Sequence, residues 1–189
     1  MIKISFGLLS LILFLFASCQ SQLKTEEEVY SYIQDESHGA LAIHEFNGIK
    51  ISMSYIPKKL ISKSNVLSGD LKYFRLIYQN RGKDMLSSID QNMYSVLLNR
   101  LSFRLGEYLS VYYGGKQKEL SDYQFSPLYG VTNSTEVLVA IDLEKISGKN
   151  IFTFNLKDIG LGLSEYDFNF KISDLEKLDK LTEKLKINE

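Results

Sequence analysis

The sequence has few of the residues that cross-link or interrupt small folds. Its 189 residues include one cysteine, two prolines and no tryptophan. A disulfide within the chain is therefore impossible, which excludes a disulfide-stapled scaffold. Twelve tyrosines and eleven phenylalanines are instead typical of strands in which aromatic and polar side chains alternate.

The chain also lacks an excess of charge of either sign. Its 22 basic and 23 acidic side chains give a net charge of −1, and no block of like charge is long enough to attract a polyanion. Nucleic-acid binding is therefore not expected. With 44% hydrophobic and 24% charged residues, the composition is that of an ordinary globular domain.

The longest apolar segment lies at the N-terminus, at residues 4–16, after a short basic start at Lys3. As a helix it would reach about 20 Å, which is less than the ~30 Å hydrocarbon core of a bilayer. A basic start, an apolar segment of this length and small residues after it are typical of a signal peptide that is removed. We therefore expect residues 1–18 to be a signal peptide.

The end of this segment, Phe16-Ala17-Ser18-Cys19, resembles the lipobox of bacterial lipoproteins. In that family the chain is cut just before the cysteine, whose sulfur receives diacylglycerol and whose new N-terminus is usually acylated, for example with palmitate. The resemblance implies cleavage between Ser18 and Cys19 and lipidation of Cys19. A thiolate is a good nucleophile for taking the lipid, and two or three acyl chains on one residue make release from a membrane negligible.

The residues after Cys19 bear on where such a lipoprotein would be anchored. In enteric bacteria an Asp at the next position tends to retain lipoproteins at the inner membrane, whereas this chain has Gln20. The resemblance thus implies an outer-membrane lipoprotein. The acidic run KTEEE at residues 24–28 resembles surface-export signals of some lineages, but we favour the first turn of a helix because Thr25 and Glu28 form a capping-box pattern.

After a lipidated tether at residues 19–24, residues 25–189 are expected to form one α+β domain. The clearest local signal is Asn47-Gly48, a pair suited to a type I′ turn because both positions need positive φ. Alternation on either side predicts a hairpin that pairs Phe46 with Ile49 and places an ion pair between Glu45 and Lys50. Pro57 should end the second strand because it lacks an N–H donor.

Further strands and helices follow from periodicity. Strands are predicted at residues 72–80, 136–142, 151–156 and 166–172, and a second hairpin around Gly114-Gly115. Helices are predicted at residues 25–35, ended by Gly39, at residues 87–106, and after a capping box of Ser173 and Glu176. Because turns link most strands, we predict a mostly antiparallel sheet or sandwich with about three helices.

Catalytic and metal-binding patterns are scarce. His38 and His44 are the only imidazoles, and neither lies in a metal-ligand or catalytic spacing. Other candidates have simpler structural interpretations: the Glu165/Asp167 pair on a solvated strand, a turn at residues 160–162, the sequon at residues 133–135, and strand packing at residues 112–115, where the aromatic rings could also stack on a sugar or peptide. We assign no catalytic, metal-binding or cofactor-binding residue.

Two functions are compatible with these features. The first is a non-enzymatic, lipid-anchored module that binds another envelope or secretion-machine protein. The second is an anchored hydrolase of cell-wall or polysaccharide substrate that uses carboxylates from unlinked positions. A small-ligand carrier would need a cavity that a sequence does not reveal. A cleft that holds two carboxylates would favour the hydrolase, and a flat apolar patch would favour partner binding.

Overall fold

The computed structural model describes residues 22–61, 71–127, 132–142 and 151–185. The predicted signal peptide, the predicted cleavage position between Ser18 and Cys19, and residues 19–21 of the predicted tether lie outside these ranges. Within them, the chain forms a single α+β domain in which all the strand pairs are antiparallel. The predicted fold class is confirmed.

Ten strands and four α-helices make up the described part of the domain. The strands are β1 (Leu41–Phe46), β2 (Ile49–Ile56), β3 (Leu71–Asn80), β4 (Lys83–Asp84), β5 (Leu109–Tyr113), β6 (Lys116–Lys118), β7 (Asp122–Phe125), β8 (Thr135–Asp142), β9 (Ile151–Leu156) and β10 (Tyr166–Lys171). The helices are α1 (Glu26–Gln34), α2 (Lys58–Ile61), α3 (Gln91–Phe103) and α4 (Ile172–Thr182), with 3₁₀ turns at Glu36–His38, Leu86–Ser88 and Leu105–Glu107.

The strands form two sheets that share one aromatic core. The larger sheet has the order β1-β2-β3-β8-β7, with β4 paired to the end of β3, and the smaller has the order β10-β9-β5-β6. Phe74, in the middle of β3, is fully buried. Its ring centroid lies 5.8, 4.8 and 5.1 Å from those of Phe152, Phe154 and Phe170 in the smaller sheet. These edge-on contacts, which aromatic quadrupoles favour, join the sheets as a sandwich.

The hairpin predicted around Asn47-Gly48 is confirmed. The two turn residues have φ values of +52° and +82°, and β1 pairs with β2 in the predicted register. The second strand ends at Ile56, just before Pro57. One detail is wrong: Glu45 and Lys50 face each other across the strands, but within the described ranges they form no salt bridge.

Helix α1 begins at the predicted capping box. The Thr25 hydroxyl accepts a hydrogen bond from the Glu28 N–H at 3.2 Å, and the Glu28 carboxylate accepts one from the Thr25 N–H at 3.3 Å. The helix ends earlier than predicted, because Asp35 leaves the helical conformation and caps the following 3₁₀ turn. Gly39, with φ of +72°, ends that turn rather than α1.

The capping box predicted for the last helix is wrong. Strand β10 runs directly into α4, so the helix begins at Ile172 and its N-cap position is Lys171, which makes no side-chain cap. Ser173 therefore lies inside the first turn, where its hydroxyl donates to Asp174 at 3.5 Å. The predicted leucine stripe is confirmed, since Leu175, Leu178, Leu181 and Leu185 are all buried.

Helix α3 is shorter than predicted. Asp90 caps it, and its carboxylate accepts hydrogen bonds from the N–H groups of Asn92 and Met93 at 3.0 Å each. Leu97 and Leu101 face the core as expected, but Val96 is exposed. Strands β4 and β7 and the single-turn helix α2 were not predicted, because each is too short to show a periodic pattern.

Candidate functional site

One end of the domain carries Leu23, which follows the predicted lipidation position Cys19 by four residues in sequence, and we call it the anchor end. It consists of Leu23, the last two turns of α4 and the first residues of β3. The Leu23 N–H donates to the Leu181 carbonyl oxygen at 3.1 Å, and the Leu23 side chain packs against the core. The chain is therefore fixed to the domain shortly after Cys19, which itself lies outside the described residues.

Asp179 joins α4 to two strands at the anchor end. Its carboxylate accepts a hydrogen bond from the Tyr55 hydroxyl of β2 at 2.7 Å and pairs with the Lys72 ammonium group of β3. Burial raises the pKa of Tyr55, and the neighbouring Asp179 carboxylate raises it further. Tyr55 thus remains a neutral hydrogen-bond donor at any physiological pH, and the helix is held against the larger sheet.

The opposite end of β3 carries a cleft of about 240 Å³, which we call the Asp84 cleft. Its walls come from β4 and the 3₁₀ turn after it, from Tyr94 of α3, from the end of β7 and from the segment that leads into β8. The lining residues are Asp84, Leu86, Ser87, Tyr94, Phe125, Ser126, Pro127, Thr132, Ser134, Thr135 and Glu136. Hydroxyl and carboxylate oxygens thus lie beside two aromatic rings and a proline, a mixture typical of binding sites.

Asp84 organises the floor of this cleft. It is 8% exposed, and its Oδ1 accepts hydrogen bonds from the Thr135 hydroxyl and from the Leu86 N–H, the latter at 3.2 Å. Its main-chain oxygen accepts from the hydroxyls of Ser87 and Ser88 at 2.8 Å each. Its Oδ2 accepts no hydrogen bond from the described part of the chain. One oxygen of the carboxylate therefore has a structural role, while the other is available to a donor in the cleft.

Glu136 is the second acidic residue that lines the cleft, and its carboxylate has partners of its own. Its Oε1 accepts a hydrogen bond from the Ser134 hydroxyl at 2.7 Å, and its Oε2 lies 3.5 Å from Arg75 Nε. The charge of Glu136 is thus balanced by Arg75 on the neighbouring strand. The cleft as a whole is rich in acceptors, which suits a ligand that brings hydroxyl, ammonium or guanidinium donors.

The two histidines have structural roles. His44 Nε2 lies 3.0 Å from the Asp167 carbonyl oxygen, and the imidazole packs on the rings of Tyr166 and Phe168. This side chain links strand β1 to strand β10 from a partly buried position. His38 stacks on Tyr32 with ring centroids 3.7 Å apart, and its Nδ1 lies 2.8 Å from the Tyr32 carbonyl oxygen.

Most of the other candidate residues are spread over the smaller sheet and its turns. Asp167 accepts a hydrogen bond from Asn155 Nδ2 at 2.7 Å, whereas Glu165 precedes strand β10. The hydroxyl of Tyr112 donates to Gln117 at 3.2 Å on the outer face, and Tyr113 is buried. Residues 160–162 form the predicted turn, in which the Asp158 carboxylate accepts three backbone N–H bonds. Among the described residues, none of these candidates lines the Asp84 cleft.

The sequon at residues 133–135, in contrast, lies at the Asp84 cleft. Ser134 and Thr135 line the Asp84 cleft, and the carbonyl oxygen of Asn133 accepts a hydrogen bond from Gln79 at 3.1 Å. From the sequence, this segment is only a possible glycosylation pattern, and no role was predicted for Asp84, Glu136 or Asp179. Their roles depend on which strands meet in the sheet, and no local motif encodes that.

Within the described ranges, no three histidine, cysteine or acidic side chains are arranged to hold a metal ion. No helix in the same ranges is long and apolar enough to span a bilayer. No protein-family model matches the chain, and no curated protein or solved structure does so either. The features that bear on function are therefore the Cys19 segment and the geometry of the two ends of β3.

Proposed function

We propose that this chain is a bacterial lipoprotein anchored by acyl chains on Cys19, most simply at the outer membrane. The observation that carries the proposal is the Phe16-Ala17-Ser18-Cys19 sequence after an apolar segment of signal-peptide length. The short distance in sequence between Cys19 and Leu23, which contacts α4, supports it, because the lipid would then hold the folded domain at the membrane surface.

We further propose that the domain is a non-enzymatic interaction module for another envelope or secretion-machine protein, and that the Asp84 cleft is its contact site. The cleft has the acceptor oxygens and aromatic walls that receive a donor-bearing side chain of a partner. We favour binding over catalysis because the Asp84 Oδ1 and both Glu136 oxygens are already engaged by neighbouring side chains or backbone, whereas a catalytic carboxylate must exchange a proton with substrate. The Asp84 Oδ2 is the acceptor left for a donor of the partner.

The anchor is tested by intact-mass measurement of the protein isolated from its native membrane. We expect a chain that begins at Cys19 and carries acyl chains, and we expect metabolic labelling with a palmitate analogue. Cys19→Ser should abolish labelling and release the chain from the membrane fraction, whereas the adjacent control Gln20→Ser should leave both unchanged. A Cys19→Ser chain that is processed and fractionated like the wild type would refute the proposal.

The binding role is tested by photo-crosslinking in the native envelope. A crosslinking amino acid at Ser126, which is exposed on the rim of the cleft, should capture a protein partner. The same group at Gln117, exposed on the smaller sheet, serves as the control and should not capture it. Equal capture at both positions, or none at Ser126, would argue against the cleft as the contact site.

One observation favours the hydrolase as a second candidate: Asp84 and Glu136 line the same cleft, and paired carboxylates are the usual groups for glycoside hydrolysis. The isosteric changes Asp84→Asn and Glu136→Gln separate the two candidates. A hydrolase should lose turnover of cell-wall glycan with either change while its fold is retained. A binding module should show no turnover before or after the change.

A further inference from the structure

The length of the tether limits how far the domain can stand from its anchor. Only residues 20–22 separate Cys19, the proposed lipid-bearing position, from Leu23, whose N–H is bonded to Leu181. A fully extended chain gains at most about 3.6 Å per residue, so the Cα atom of Cys19 lies within about 14 Å of Leu23. A domain of this length has a radius of gyration of about 15 Å, so a lipid on Cys19 would keep the end that carries Leu23 toward the membrane.

The surface around Leu23 offers groups suited to the headgroup layer. A shallow cavity lies between α2, the start of β3 and the end of α4, and Lys58, Lys59, Lys72 and Thr182 are among the residues that line it. Lys58 and Lys59 are exposed, as is Lys24 next to Leu23. Lysine side chains reach across apolar surface to place their ammonium groups at lipid phosphates.

Some carboxylates at the anchor end are hydrogen-bonded or paired with a lysine, and others are exposed to solvent. Asp179 is held by Lys72 and Tyr55, and Glu28 accepts the N–H groups of Lys24 and Thr25. Glu26, Glu27 and Glu183 are exposed, so the end is of mixed charge. The orientation therefore follows from the short tether, and the lysines add contacts with phosphate.

Strand β3 gives the distance from this surface to the Asp84 cleft. Lys72 lies at the anchor end, opposite Ile141 of β8, and Tyr78 lies opposite Thr135, which bonds Asp84. At ~3.3 Å per residue, the segment from Lys72 to Tyr78 spans about 20 Å. The cleft is thus at the far end of the strand from the tether.

We propose that the domain stands on the membrane on its anchor end, with Lys59 and its neighbours against lipid phosphates. In this orientation the Asp84 cleft points away from the membrane, about 20 Å further out along β3. The inference rests on the proposed lipidation of Cys19. It deepens that proposal by assigning one surface to the lipid and leaving the cleft open to a partner in the aqueous phase.

Because Cys19 is the only cysteine in the sequence and its sulfur would carry the lipid, one introduced cysteine gives one free thiol. We choose Lys59→Cys at the anchor end and Lys83→Cys at the cleft end, two exposed lysines of the same chemistry. Each mature variant, isolated from its native membrane, is labelled with a fluorophore and placed in vesicles of phosphatidylethanolamine and phosphatidylglycerol that contain a headgroup-attached nitroxide quencher.

Lys59 lines the same cavity as Lys72, and Lys83 pairs with Asn80 at the other end of β3. Lys72 and Asn80 are about 26 Å apart along the strand, so we expect quenching at residue 59 to exceed that at residue 83 by roughly threefold or more. Equal quenching, or stronger quenching at residue 83, would overturn the orientation while leaving the anchor intact. Intact mass of the same samples shows whether the proposed function itself fails. A chain without acyl groups would overturn both the anchor and the orientation, and thermal unfolding of both variants confirms that the fold is kept.

Discussion

A buried tyrosine hydroxyl lies near each end of β3, and only one of the two has a hydrogen-bond partner within the described part of the chain. At the anchor end, the hydroxyl of Tyr55 donates to Asp179, which also pairs with Lys72. Toward the cleft end, the hydroxyl of Tyr78 is fully buried and has no hydrogen-bond partner among the described residues. A paired hydroxyl stabilises the fold modestly, whereas an unpaired one costs free energy. The same chemical group should therefore have opposite effects at the two ends.

The largest effect is expected midway between the two ends, at Phe74. Its ring contacts both sheets, so Phe74→Ala should lower the free energy of unfolding by about 3–5 kcal/mol. Phe103→Ala is the matched control, since Phe103 is 77% exposed, and it should change stability little. Urea unfolding measures both. A small effect of Phe74→Ala would mean that the two sheets do not depend on a shared core.

The next largest effect is expected at the anchor end, from Asp179→Ala. This change leaves the Tyr55 hydroxyl without its acceptor and the Lys72 ammonium group without its partner, which should cost about 1–3 kcal/mol of unfolding free energy. Glu176→Ala, at an exposed position of the same helix, is the control. If both variants unfold at the same urea concentration, Asp179 does not hold α4 to the sheet.

Alkaline pH should weaken both ends. Burial raises the pKa of Tyr55 and Tyr78, and nearby carboxylates raise each further. The folded chain therefore keeps phenolic protons that the unfolded chain releases above about pH 10. Stability from these groups is complete below that pH and should fall as pH rises, by about 1.4 kcal/mol per pH unit for each tyrosine.

Unfolding measured between neutral pH and pH values above 10 checks this dependence. The double variant Tyr55→Phe, Tyr78→Phe is the control, because it removes both phenols. It should lose most of the alkaline slope, and an unchanged slope would show that other groups cause it.

The smallest effect is expected from Tyr78→Phe, which removes the unpaired hydroxyl. We expect the free energy of unfolding to stay within about 0.5 kcal/mol of the wild-type value or to rise. Tyr55→Phe, which removes a paired hydroxyl from the other end, should instead lower it by about 1 kcal/mol. Equal losses for the two variants in calorimetry would contradict the difference between the ends.

The sequence predicts those parts of the fold that are decided by residues close together in the chain. The Asn47-Gly48 hairpin and the Thr25–Glu28 capping box are correct because the residues that decide them are neighbours in the chain. The start of α4 is wrong because β10 pairs with β9 as far as Lys171, which places Ser173 within the helix. A distant strand, rather than the local pattern, sets that boundary.

The candidate site was hidden for the same reason. Asp84 meets Thr135 only because β4 and β8 both pair with β3, and Asp179 meets Tyr55 only when α4 packs on the larger sheet. Neither pair of residues has a characteristic spacing in the sequence from which its contact could be predicted. The Cys19 segment remains a prediction from its resemblance to the lipobox.

The hydrogen bond between Leu23 and Leu181 also limits the order in which the molecule can assemble. Its two residues are far apart in sequence, and contacts of this kind form late because a long loop must close first. Until α4 has formed and packed on the domain, the Leu181 carbonyl oxygen is not in place to accept the hydrogen bond from Leu23. If Cys19 is processed as proposed, the enzymes that cut and acylate the chain would meet it before this hydrogen bond has formed, and folding of the domain would afterwards fix Leu23 to α4.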